Sequence, residues 1–444
     1  QGSAREPGGT CPADPPRHPA PHPQGLRTTS MRAQAIRALR VLVALALAAP
    51  AVAEEAEVSQ ANLGIAVMLL GSVGFMMGLF YLVNLEDHQL RKYSWQVISS
   101  TISIFSAVLL FQAVNGIAEE VFLGEDAPAV LRLGVSVVHM LVWFLFLQLA
   151  LAHISGAIGA PPKGEEQLEQ MELQLKCWAV LLGHITGFAA INAFSTFQQQ
   201  VPRHWWATLF VAPLAWAVIF ALGKITDAFR THVALADDGE IDEAERAWHE
   251  ETEETENDVI GLAVSFTIVQ MLRFAISGEL PNVEGEESEE AESSHSDLAT
   301  FGLLVAGVAF AILEGIRIVF IKMQFKRFTP QLRNVVAMSF AWCLFFSSQW
   351  FLSAHFFRDT TGMTKALVLA LFVTAVALGM IIILQKAEEL DETDEDIDEV
   401  LRAIVLGLGI LIGFAWERCF DVAVASITAR VHFVSPATSK LGMA

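Results

Sequence analysis

Lys365–Gln385 reads KALVLALFVTAVALGMIIILQ, with no charged side chain between its first residue and its last. At 1.5 Å rise per residue a helix of this length covers about 30 Å, the thickness of a bilayer's hydrocarbon core. Backbone amides in lipid find no water, so such a stretch satisfies itself as a helix. Lys386 and the acidic run Glu388–Glu399 follow at once, which marks the return to water.

Working outward, the same pattern recurs. Apolar stretches of about 20 residues stand at 62–83, 97–117, 130–154, 177–197, 205–225, 259–276, 298–320, 335–356, 365–385 and 401–425. The 259–276 stretch is the weakest of these, being short and carrying Gln270 and Arg273. Hydrophobic residues make up 53% of the chain, charged residues 17%, and the mean hydropathy is +0.47. A soluble protein of this size needs more charge on its surface. The expected fold is therefore all-α, a polytopic membrane protein with about ten transmembrane helices.

The N-terminal part predicts export. Residues 1–30 are rich in Pro, Arg, His and Gly and read as a disordered extension or leader. From Met31 a signal peptide follows over residues 31–53. Arg32, Arg37 and Arg40 form its basic part, Val41–Ala49 its apolar part, and Ala51-Val52-Ala53 a small-x-small cleavage site. Cleavage there sets the new N-terminus on the extracellular or lumenal side. Ten spans then place Arg91, Lys92, Lys163, Lys176, Lys224, Arg230, Arg246, Lys322, Lys326, Arg327, Arg333 and Lys386 in the cytoplasm. Only Arg203, Arg358, Lys365, Arg430 and Lys440 fall outside. This is the positive-inside bias, and it puts both termini outside, in the plasma membrane or an endomembrane.

The chain also resembles itself. Leu182-Gly183-x-x-x-Gly187-Phe188-Ala189 returns 226 positions later as Leu408-Gly409-x-x-x-Gly413-Phe414-Ala415, and Phe194 returns as Phe420. Gln89-Leu90-Arg91 before the second span recurs as Gln331-Leu332-Arg333 before the eighth. These matches predict a parallel pseudo-repeat of two four-helix units with a two-helix insert. The units are 54–200 and 298–430, and the insert is 201–278 with its acidic cytoplasmic loop. An acidic outer loop, 279–297, and a C-terminal tail, 431–444, complete the division. The Gly-x-x-x-Gly pairs, including Gly74 and Gly78, are expected to let helices approach closely.

Charges at membrane depth are costly and mark candidate sites. Glu314 and Arg317 stand i,i+3 in the seventh span, spaced to pair. Glu417, Arg418 and Asp421 stand in the tenth, where two carboxylates face one guanidinium. The repeat aligns Asn192 with Arg418 and Ser195 with Asp421. Together with His184, these residues are the candidates for a transport path: Glu314, Arg317, Glu417, Arg418, Asp421, His184 and Asn192. His139 reads instead as a packed, satisfied histidine, and Trp205 and Trp206 as interfacial anchors.

The acidic runs Asp237–Asp258, Glu279–Asp297 and Glu388–Glu399 are expected to be solvated loops that attract cations. Asp238-Gly239-Glu240-Ile241-Asp242 with Glu245 resembles half of an EF-hand loop, but Ala234 and Ala236 stand where the first ligands belong. The net charge of −21 argues against nucleic acid. Cys177, Cys343 and Cys419 lie inside apolar stretches, so no structural disulfide is expected. No phosphate-binding loop, dinucleotide fingerprint or His-Glu-x-x-His is present. The expectation is thus no enzyme, no cofactor, no metal site, and the lipid bilayer as partner. The leading expectation of function is ion or small-solute transport between the repeats. The alternative is a scaffold or receptor-like subunit whose acidic loops bind partners.

Overall fold

The computed structural model describes residue 66 and residues 88–428, apart from 125–126, 160–161, 163, 237–238, 240, 321–326, 358–361 and 389–394. The signal peptide, the first predicted span with its Gly74–Gly78 pair, and the C-terminal tail lie outside the described residues.

Among the described residues the chain is helical, without strands. The helices are α1 (His88–Phe122), α2 (Ala129–Ile154), α3 (Glu165–Gln200), α4 (Trp205–Leu209), α5 (Val211–Ala234), α6 (Glu243–Ser277), α7 (Glu289–Ser294), α8 (Asp297–Phe320), α9 (Phe328–His355), α10 (Met363–Glu388) and α11 (Glu395–Thr428). Eight are long and apolar enough to cross a membrane, taking the short α4 together with α5. They correspond to the second through ninth predicted spans. The tenth lies within α11, a continuous helix whose apolar stretch is interrupted by Glu417, Arg418 and Asp421.

The bundle is assembled from helical hairpins. The pairs α2–α3, α5–α6, α8–α9 and α10–α11 each pack side by side. The second helix of each pair is the inner one: α3, α6 and α9 are mostly buried, whereas α2, α5, α8 and α10 leave much of their surface exposed. The inner helices close a ring in the order α1, α3, α6, α9, α11 and back to α1. An apolar outer face suits lipid, so Val138, Leu145, Leu149, Ile312 and Ile383 need no protein cover.

Close approach of α3 to α6 depends on the predicted glycines. A Cβ at Gly183 would stand 2.7 Å from Thr255 Cγ2, and one at Gly187 would stand 2.5 Å from Leu262 Cδ1. The weakest predicted span, 259–276, turns out to be central. It is the apolar half of α6, held between α3 and α9.

Two of the acidic runs are not solvated loops. Asp242 and Glu245, the supposed ligands, form a capping box that starts α6: Glu245 N donates to Asp242 Oδ1 at 2.7 Å, and Asp242 N to Glu245 Oε2 at 3.0 Å. Eleven residues after Glu245, Glu256 is buried and accepts from Arg230 at 2.7 Å, Thr226 at 2.8 Å, Gln148 at 3.0 Å and Arg327 at 3.0 Å. This network joins α2, α5 and α6 at one end of the bundle. The segment 279–297 folds over the other end, hereafter the loop end. Residues 389–394, half of the Glu388–Glu399 run, lie outside the described residues.

Candidate functional site

The loop end is organised around Arg273 of α6, a fully buried guanidinium. It donates to Glu287 Oε1 at 2.7 Å and to the carbonyl of Gly285 at 2.8 Å, and lies 3.8 Å from the centroid of the Phe346 ring. Glu287 also accepts from Trp350 Nε1 at 2.9 Å and contacts His295 Nε2 at 2.7 Å. Burial alone would raise the Glu287 carboxyl. The His295 hydrogen bond and the Arg273 charge outweigh it and hold the group below the usual carboxylate range. Glu292 is buried too, against Gln349, Ser353 and Lys365. The sequence placed an acidic run here without its partners, because those partners come from α6, α9 and α10.

Beside this folded segment a cavity of about 410 Å³ enters the ring. Its walls are α1, α3 and α11, with Val283, Glu284 and Glu286 of the 279–297 segment at the rim. Six carboxylates line it, Glu119, Glu120, Glu284, Glu286, Glu417 and Asp421, against the single guanidinium of Arg418. Arg418 bridges to Glu286 at 3.0 Å and so ties α11 to the rim. Glu417, the residue before the rim-bridged Arg418, lines the cavity while being only 2% exposed.

Asn115 organises the wall on the α1 side. Its amide oxygen accepts from Asn192 Nδ2 at 3.1 Å and stands 3.1 Å from His139 Nδ1, while its Nδ2 donates to Glu119 at 3.0 Å. Trp143 Nε1 donates to His139 Nε2 at 2.8 Å. An indole nitrogen can only donate, so His139 carries its proton on Nδ1 and passes that hydrogen bond to Asn115. His139 is therefore the satisfied histidine the sequence suggested.

The floor is aromatic. Phe188 and Phe414 stack with centroids 6.4 Å apart, Trp342 meets Phe414 edge-on at 4.7 Å, and Phe266 meets Trp342 at 5.2 Å. Phe188, Phe266 and Phe414 line the cavity. Such edge-to-face arrangements pack densely and exclude water.

Of the seven residues proposed from sequence, Asn192, Glu417, Arg418 and Asp421 line this one cavity. His184 lies two turns deeper on α3, buried, with Nδ1 3.1 Å from Ser103 Oγ. Glu314 and Arg317 stand apart on α8 and pair with each other, Nε to Oε2, at 2.9 Å. Sequence reasoning missed Glu119 and Glu120, because it ended the second span at residue 117 and α1 continues to Phe122. It also missed Glu284 and Glu286, whose approach to the ring needs the 279–297 segment to fold inward.

No protein-family model, no curated protein and no solved structure matches the chain.

Proposed function

We propose that the chain is an integral membrane transport protein for a cation or a small solute, entered through the acidic cavity between α1, α3 and α11. The observation that carries this reading is the cavity's reach from the loop end to Glu417 and Asp421 inside the helix ring. Ionisable groups at that depth are expensive unless a polar passage or a cargo repays their burial. Six carboxylates lining one cavity concentrate cations there.

The opposite end supports a carrier in preference to an open channel. Below the cavity the rings of Phe188, Phe414 and Trp342 fill the space inside the ring, and at the opposite end the Arg230–Glu256 network ties α2, α5 and α6 together. A path open at one end and packed at the other is half of an alternating-access cycle. With the signal peptide and the Lys/Arg bias, the open end faces the extracellular or lumenal side.

The two-unit scheme has support in the packing. In the first unit α3 packs on both α1 and α2, and in the second α11 packs on both α9 and α10. The insert helix α6 sits between α3 and α9, where two such units would meet on one side.

Flux into proteoliposomes tests the proposal, comparing the wild-type chain with Glu417→Gln and Asp421→Asn. Saturable cation or solute uptake that both variants lower at least about tenfold is expected, as for loss of a charged contact inside a site. Uptake equal to that of empty liposomes across ion and solute panels would sink it and leave the scaffold reading.

A further inference from the structure

The cavity's composition narrows the class of cargo. An inorganic ion stripped of water needs several oxygens converging at about 2.0–2.6 Å. Among the described residues no group of three His, Cys, Asp or Glu is placed to hold a metal ion. The cavity is also far larger than a bare ion, at about 410 Å³, and falls in the range of small-molecule sites.

Its two surfaces have different chemistry. One side carries Glu417 and Asp421, and the floor carries the rings of Phe188 and Phe414. Carboxylates alone would favour any cation. Aromatic faces add attraction for a cation whose charge is spread over alkyl groups and whose surface sheds water easily. The wall also offers the Gln112 amide oxygen, a buried acceptor with no hydrogen-bond partner among the described residues. An acceptor left in this way suits a ligand that brings its own N–H or O–H donor. Arg418 does not reverse the sign of the site, since it is bridged to Glu286 at 3.0 Å.

We propose that the cavity binds an organic ammonium ion, its charge against Glu417 and Asp421 and its alkyl groups against Phe188 and Phe414. This deepens the transport reading and rests on the same cavity, but binding and flux can be measured apart.

The test is calorimetric titration of the full chain in lipid nanodiscs with choline and with 3,3-dimethylbutan-1-ol, its neutral isostere. Sodium and calcium chloride serve as inorganic controls. Choline should bind and the neutral isostere should not. Glu417→Gln should weaken choline at least about tenfold, the scale of a lost charged contact. Phe188→Leu keeps the apolar volume but removes the ring face, and should weaken choline about fivefold while leaving a comparable melting temperature. Phe111→Leu, also on the lining, replaces it should Phe188→Leu not fold. Equal binding of choline and its isostere overturns the inference. So does sodium or calcium binding that depends on Glu417 while choline gives no heat. Choline binding without choline flux in proteoliposomes upholds the site and overturns the transport reading instead.

Discussion

Phe188 of α3 and Phe414 of α11 stack with centroids 6.4 Å apart and planes only 11° from parallel, and they occupy the same position in the two Leu-Gly-x-x-x-Gly-Phe-Ala stretches. The stacked pair belongs to the floor of the cavity, where side chains of α3 and α11 meet. Phe414 also meets Trp342 and Phe345, at 4.7 and 5.2 Å. Phe414→Ala should therefore cost about 3–5 kcal/mol, the range for truncating a buried aromatic. Thermal or denaturant unfolding in a fixed detergent measures it, and an effect below about 1 kcal/mol would mean the ring cluster does not support the fold.

The glycine contact between α3 and α6 makes a comparative prediction. Gly187→Ala should destabilise by about 1–3 kcal/mol, because its methyl meets Leu262 Cδ1 at 2.5 Å. Gly315→Ala on α8 meets nothing within 4 Å and should be neutral or stabilising, since alanine is the better helix former. Melting temperatures of the two variants against wild type check the ordering.

The Arg273–Glu287 pair should behave as a buried unit. Arg273→Met leaves Glu287 without its main cation and should cost about 3–5 kcal/mol. Adding Glu287→Gln to that variant should restore part of the loss. A double-mutant cycle read by unfolding gives the coupling, and strictly additive effects would show that the two are not energetically linked.

Acidification probes the same group by another route. The folded protein holds Glu287 below the ordinary carboxylate pKa, so deprotonated Glu287 favours the folded state. That contribution is complete above the unfolded value, about 4.3, and fades as pH falls through the lower folded value. Glu287→Gln should flatten the acid limb of a stability–pH profile in that window. An unchanged limb would assign acid sensitivity to other carboxylates.

Cysteine labelling maps the cavity. In a chain whose exposed Cys177 has been replaced by serine, Asn192→Cys should react with methanethiosulfonates added on the loop side. The cationic ethyltrimethylammonium reagent should outpace the anionic ethylsulfonate one, because the lining is strongly acidic. His184→Cys, buried below the floor, should react far more slowly. Equal rates for both reagents at Asn192→Cys would contradict an acidic entrance.

Much of this architecture was legible in the residues. Span positions follow from apolar length, which depends only on local sequence. Gly183 and Gly187 were readable as contact points, since small residues at that spacing serve few other ends in a membrane helix. The 259–276 span looked weak because Arg273 and Gln270 interrupt it. A helix held inside a protein can carry such groups, and their partners, Glu287 and the carbonyls of Asn282 and Gly285, lie in a segment whose folding no local pattern reveals. The cavity was half legible. Asn192, Glu417, Arg418 and Asp421 came from charge and the repeat. The aromatic floor did not, because Phe188, Phe266, Trp342 and Phe414 belong to four helices and phenylalanines are ordinary in any apolar span.

Arg273 also bears on how the protein is made. An arginine carried in an apolar span opposes insertion, and the counter-charge of Arg273, Glu287, follows 14 residues later in the chain. Until that later stretch emerges from the ribosome, Arg273 lacks its carboxylate partner and α6 is held less firmly in the bilayer. Completion of α6 is thus tied to the arrival of the segment that follows it. A nascent chain halted between the two would present the quality-control machinery with an unneutralised arginine in lipid.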